Sequence, residues 1–194
     1  GADLCLIAGS TWEKDDQILI DSYMHLRNSF PNLKLIIAPH ETDETSVQSL
    51  LNKLQLKRLS YTLYLNQIDN SAQVLVINTI GVLASAYKYG HVAFIGGGFN
   101  NGIHNILEPA AHKLPVIFGP NHQKFNEAKE FIKNGAGFEV SNTEELTSVV
   151  KQLFNSSSNL ETAANAAYNY LEKNSGATLK ILDKVLSIQV SAYQ

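Results

Sequence analysis

Short, largely apolar runs separated by stretches of helical periodicity constrain this chain more than any other feature of its sequence. Asp3–Ala8, Leu33–Ala38, Val74–Ile77, His91–Ile95 and Pro115–Phe118 are near-continuous apolar runs rather than in-out alternations. That is the pattern of strands buried on both faces of a parallel sheet. Between them apolar residues recur at helical spacing, as Ile18, Leu19, Tyr23, Leu26 and Phe30 in a segment from Glu13 to about Phe30, and as Val47, Leu50, Leu51, Leu54 and Leu56 in the next. Tyr61–Leu65 and Phe138–Val140 predict further strands. Helices are predicted from Gly81 to about Tyr89, from about Asn105, from about Lys124, and at Glu144–Phe154, Leu160–Lys173 and Thr178–Ser187, with Ser156-Ser157-Ser158-Asn159 as a loop. The alternation implies an α/β fold, a Rossmann-like parallel sheet with helices on both faces. A chain of 194 residues, 44% hydrophobic, is long enough to bury one full core, so residues 1–194 are read as a single domain.

In such sheets ligands bind beyond the carboxyl ends of the strands, where strand order reverses. The loops that follow the strands are therefore the candidate site: Gly9-Ser10-Thr11, Pro39-His40-Glu41, Asn78-Thr79-Ile80-Gly81, the stretch from Gly96 to Asn105, and Gly119-Pro120-Asn121-His122. Gly96-Gly97-Gly98 directly before a helix start permits close backbone approach to a phosphate. The same glycines also suit a plain strand-to-helix turn. His104-Asn105 stands at the expected helix entry, and Glu108 follows one turn later. A carboxylate there can accept hydrogen bonds from the 2′- and 3′-hydroxyls of a ribose. The competing reading is a favourable charge at a helix N-terminus.

Several classes are excluded or disfavoured. The net charge is −3 with Lys and Arg scattered, which gives no basic face for nucleic acid. Cys5 is the only cysteine, so neither an internal disulfide nor cysteine-based zinc ligation is available; its apolar neighbours predict a buried strand thiol and a reducing compartment. No carboxylate–histidine spacing reads as a metal site, and no cofactor is implied. His25 is expected on a helix surface, His91 at a strand start and His112 near a helix end. His122 is a candidate to face the cleft, and Trp12 is expected to be partly buried. No apolar run approaches the roughly 18 residues of a membrane span, and the start lacks the pattern of a signal peptide. The chain is expected to be soluble and part of a longer protein.

Phe94-Ile95-Gly96-Gly97-Gly98-Phe99, then Gly102 to Ala111, then Leu114-Pro115-Val116-Ile117-Phe118-Gly119-Pro120 resemble, in order, the signature of the Kdo transferases. These enzymes move 3-deoxy-D-manno-octulosonic acid (Kdo) from CMP-Kdo to a lipid A precursor. The likeness extends to Ala8-Gly9-Ser10-Thr11, Pro39, Asn78-Thr79-Ile80-Gly81 and Phe125-Asn126, and the approach Asn174-Ser175-Gly176-Ala177 is also similar.

The resemblance implies the C-terminal, donor-binding half of a GT-B glycosyltransferase, whose two Rossmann-like halves face a cleft. By position it implies that Asn105, Ile106, Leu107 and Glu108 touch the CMP moiety, with Glu108 on the ribose. Ile80, Gly81 and Val82 would line a second side of the nucleotide and Pro39 and His40 a third. Gly97 and Gly98 would lie near the phosphate, with Gly9, Ser10, Thr11 and His104 facing the cleft. Two positions depart from the family pattern: Val82 stands where a glutamate is common, and Pro39-His40-Glu41 replaces Pro-Arg-His-Pro-Glu, exchanging a permanent cation for a histidine.

The resemblance further implies that the general base lies in the N-terminal half, so no catalytic residue is assigned here. Lipid A precursor and membrane contact would come through that half, at the cytoplasmic face of a bacterial inner membrane, and the part in hand would be inactive alone. A GT-B domain for a UDP-sugar, or a non-catalytic nucleotide-binding module, are the other readings. Against the module, no Gly-x-Gly-x-x-Gly follows the first strand.

Overall fold

The computed structural model describes residues 4–175. The predicted helix Thr178–Ser187, the pair Gly176-Ala177 and Asp3 lie outside them. Seven strands form one wholly parallel sheet in the order β3-β4-β2-β1-β5-β6-β7. They are β1 Cys5–Thr11, β2 Lys34–Pro39, β3 Tyr61–Leu63, β4 Val74–Val76, β5 Val92–Ile95, β6 Val116–Phe118 and β7 Gly137–Glu139. Order runs outward from β1 toward β3 and then, after the chain returns, outward from β5 toward β7. The reversal therefore falls between β1 and β5.

The continuous apolar runs have a direct cause, because both faces of the sheet are covered. Leu6 and Ala8 point into one core with Tyr23, Leu26, Leu50 and Leu54, while Cys5 and Ile7 point into the other with Tyr87, Ala110 and Phe131. Helices α1 (Glu13–Leu26), α2 (Glu44–Leu56) and α6 (Thr143–Phe154) cover the first face. On the second lie α3 (Leu83–Ala86) with the 3₁₀ turn Tyr87–Tyr89, α4 (Leu107–Ala111) and α5 (Asn126–Lys133). The long α7 (Ser157–Asn174) gives Ala163 to one core and Ala167 to the other. Cys5 is buried, and burial pushes its thiol up to about 12, leaving it an inert core residue.

Side-chain caps set several helix starts: Asp43 accepts from Thr45 N and Ser46 N, Asn142 from Glu145 N, and Ser156 from Asn159 N. The last of these corrects the expected loop at Ser156–Asn159, since Ser156 is the cap and the helix begins at Ser157. Three other boundaries differ from expectation. Gly9-Ser10-Thr11 is not a free loop but the end of β1, which keeps pairing with β2 through an irregularity at Ser10, whose φ is 54°. The first helix stops at Leu26, short of Phe30, where Ser29 N and Phe30 N both turn back to Leu26 O. And α4 begins at Leu107 rather than Asn105, which puts Glu108 in its first turn.

Candidate functional site

The carboxyl ends of β1 and β5 meet at the strand-order reversal, and the two chain segments that leave them are tied together. Gly96 N donates to Gly9 O at 2.9 Å. One residue on, Gly97 N donates to Asp15 Oδ2 at 2.8 Å, and the same oxygen accepts from Trp12 N at 2.8 Å. Asp15 sits in the first turn of α1 and is fully buried. Burial raises its carboxyl above the usual range, opposed by those two N–H groups. Asp16 beside it is also buried, and burial lifts it to about 6 despite the nearby Thr11 hydroxyl and Lys53 ammonium. Neither carboxylate was singled out by sequence reasoning.

A carboxyl raised in the folded state favours folding while it is protonated, and that contribution is lost as pH climbs through the folded value. Asp16→Asn is therefore expected to stabilise the chain at neutral pH by about 1–2 kcal/mol and to flatten stability between about pH 4 and 6. Urea unfolding at several pH values checks this; a variant that loses stability at neutral pH refutes it.

The glycine turn is built by packing. Gly97 has φ +89°, and a Cβ on it would lie 2.2 Å from Gly102 O; a Cβ on Gly98 would lie 2.5 Å from Gly119 N. Gly98 thus packs the β5 loop onto the β6 loop. In this state the Gly97 N–H expected near a phosphate is occupied by Asp15.

Three aromatic rings from three loops gather over the reversal. Trp12 follows β1, His40 follows β2 and His104 follows the glycine turn. His40 stacks on Trp12 at 4.5 Å and on His104 at 4.4 Å between centroids, and Trp12 Nε1 donates to His104 Nε2 at 3.1 Å. His104 is half-buried; burial and the neighbouring His40 hold it below the usual imidazole range. Cavities of about 270 and 300 Å³ flank it, sharing Phe125 as a wall.

Asn105 precedes α4 and organises its entrance. Its Oδ1 accepts from Leu107 N at 2.9 Å and its Nδ2 donates to Glu108 Oε1 at 3.0 Å. Glu108 is exposed, so one carboxylate oxygen is steered while the group stays open to a ligand. Ile106 is buried and Leu107 half-buried, supporting the turn rather than offering polar contacts. Tyr87 lies close enough for the Glu108 charge to add to the effect of burial, which raises its hydroxyl.

The loop after β4 carries Ile80, 85% exposed, and Gly81 at φ +87° with open space around it. Val82 is half-buried, as is Pro39 at the end of β2. Ser10 is half-buried; Thr11 is buried but lines a cavity of about 270 Å³ between the ends of β1 and β2, together with Trp12, Pro39 and Glu41. His122 does not face the cleft: its ring is buried and its Nε2 meets Glu139 Oε2 on β7 at 2.5 Å. No group of three or more His, Cys, Asp or Glu among the described residues is placed to hold a metal ion. Among the same residues no helix is long and apolar enough to cross a membrane.

No protein-family model matches the chain. It is similar to the 3-deoxy-D-manno-octulosonic acid transferase of Haemophilus influenzae, 34% identical over 184 residues, covering 91% of this chain and 42% of that protein. It is also similar to the Aquifex aeolicus protein of the same name, 32% identical over 151 residues, covering 76% of this chain and 41% of that one. The chain thus spans about two fifths of the length of the curated relatives it matches. Among solved structures, the C-terminal CMP-Kdo binding domain of WaaA from Acinetobacter baumannii shares the fold, with a TM-score of 0.78 at 23% identity over 87% of this chain and 89% of that domain. Over most of its length the chain is thus similar to one region of the 3-deoxy-D-manno-octulosonic acid transferases, and it shares the Rossmann-like fold of that CMP-Kdo binding domain.

Proposed function

We propose that the chain is the donor-binding domain of a transferase that moves Kdo from CMP-Kdo to a lipid A precursor in lipopolysaccharide synthesis. The observation that carries this reading is the entrance to α4. An exposed carboxylate, Glu108, is steered by Asn105 just beyond a glycine turn at the strand-order reversal. That is a suitable acceptor for a ribose diol whose phosphate lies toward the turn. Ile80, Gly81 and Val82 supply an apolar edge and backbone groups for the base, and Pro39 and His40 a third wall. The kinship with Kdo transferases supports cytidine as that base and Kdo as the sugar.

The domain contributes binding and stabilisation of the departing CMP phosphate. The base that activates the acceptor hydroxyl, contact with the lipid acceptor and association with the cytoplasmic face of the inner membrane belong to another region of the parent enzyme. The 194-residue chain alone binds CMP without turnover, and the reaction proceeds without a divalent metal.

Calorimetry with CMP, UMP and UDP tests the reading. CMP is expected to bind more tightly than either uridine nucleotide; tighter binding of UDP would replace it with a UDP-sugar transferase, and no binding would refute it. Glu108→Ala is expected to weaken CMP binding by about 1–3 kcal/mol, the loss of two hydroxyl bonds to a charged acceptor, with thermal stability unchanged because the side chain is exposed. Unchanged affinity would reduce Glu108 to a helix-end charge.

A further inference from the structure

The bond between Trp12 and His104 fixes more than packing. An indole N–H only donates, so His104 Nε2 must be the acceptor and the neutral imidazole must carry its proton on Nδ1. His40 stacks on both partners and holds the planes of the two rings in place. Protonation of His104 would place two donors 3.1 Å apart and break the bond. The titratable groups near the ring come from each packed element: His40 from the loop after β2 stacks on it, Glu127 of α5 lines the cavity beside it, Glu108 of α4 is bonded to the adjacent Asn105, and Asp15 of α1 holds the turn at Gly97.

We infer that Trp12 is a positioning residue for the ligand site: its indole N–H reserves Nε2 of His104, so the uncharged imidazole presents Nδ1–H as a donor to the phosphate of the bound nucleotide. The inference rests on the reading of Gly96–Ala111 as a nucleotide site. It gives the Trp12 ring a task distinct from burial, and it explains how a histidine kept neutral serves an anion. A neutral imidazole offers one donor, and which nitrogen carries it decides whether the phosphate meets a proton or a lone pair. At low pH, where the ring is charged, both nitrogens donate and the positioning no longer matters.

The test uses the whole chain. Nitrogen-15 NMR of the histidine rings at about pH 8 is expected to show His104 as the Nδ1–H tautomer in the native protein, and to show that preference lost in Trp12→Phe, which keeps a ring against His40 but no N–H. CMP affinity should fall about fivefold in Trp12→Phe at that pH, the value of one hydrogen bond, and the gap should close at the lower pH where the same NMR signals show the His104 ring protonated. An Nε2–H tautomer in the native chain overturns the inference without any variant. So does a Trp12→Phe protein with unchanged tautomer, or one whose affinity loss is the same at both pH values, as a packing defect would give. If CMP binds neither protein while the native tautomer is as expected, the nucleotide reading fails and takes the positioning role with it.

Discussion

Replacing Gly97 by alanine is expected to cost about 3–4 kcal/mol of stability and to abolish measurable CMP binding, whereas the same change at Gly81 costs about 1 kcal/mol. The two glycines have nearly the same backbone, φ +89° and +87°, so the conformational penalty for an L-residue is shared. They differ in the space beyond Cα. At Gly81 nothing lies within 4 Å of a built Cβ, while at Gly97 it would sit 2.2 Å from Gly102 O. That oxygen is backbone, and Gly102 N is itself bonded to Gly97 O at 3.1 Å, so the clash cannot be relieved by turning a side chain. Relief requires opening the turn, which breaks the Gly97–Asp15 bond and shifts His104. For a chain of this size the loss corresponds to a drop in Tm of roughly 6–16 °C. Comparable thermal shifts for the two variants would show that conformation alone, and not the packed turn, matters at Gly97.

The sheet was legible because its cause is simple: strands covered on both faces must be apolar at nearly every position, as Leu6, Ile7 and Ala8 are. The end of β1 was not, because Gly9-Ser10-Thr11 looks like a turn and only the partner strand β2 keeps Thr11 in the ladder, opposite Pro39. Glu108 and Asn105 were legible as a pair at a helix entry, since three-residue spacing brings their side chains together. The cluster of Trp12, His40 and His104 was invisible as a cluster. Periodicity gives elements but not their order, and only the order β2-β1-β5 makes neighbours of loops 92 residues apart in sequence.

His122 shows the converse. Its loop was correctly placed after β6, but Phe118 and Glu139 draw the ring inward. Asp15 escaped notice because an acidic residue in a first helical turn ordinarily serves the helix dipole from the surface. Here the first turn is tucked under a glycine run, and the available clue was the acidic pair Asp15-Asp16 just after Ser10-Thr11.

Asp15→Ala is the second change expected to have a large effect, about 2–4 kcal/mol lost, with CMP affinity reduced at least tenfold as the glycine turn relaxes. The alanine leaves the buried Gly97 N–H without an acceptor and removes the acceptor for Trp12 N at the start of α1. Against this stands the burial of the carboxylate itself, whose Oδ1 has no hydrogen-bond partner and whose pKa is raised in consequence. The two effects separate in Asp15→Asn. Its amide oxygen can accept from both N–H groups, and it carries no charge to desolvate, so it is expected to lie within about 1 kcal/mol of the native chain at neutral pH. Because the folded carboxyl is raised, the native chain gives up stability relative to Asp15→Asn as pH rises through the folded value, and the difference is constant above it. Urea unfolding of the three proteins across that range reads both terms. If Asn proves as damaging as Ala, the negative charge rather than the shape of the acceptor holds the glycine turn. The turn would then depend on the charge of Asp15 as well as on the bonds it accepts from Gly97 N and Trp12 N.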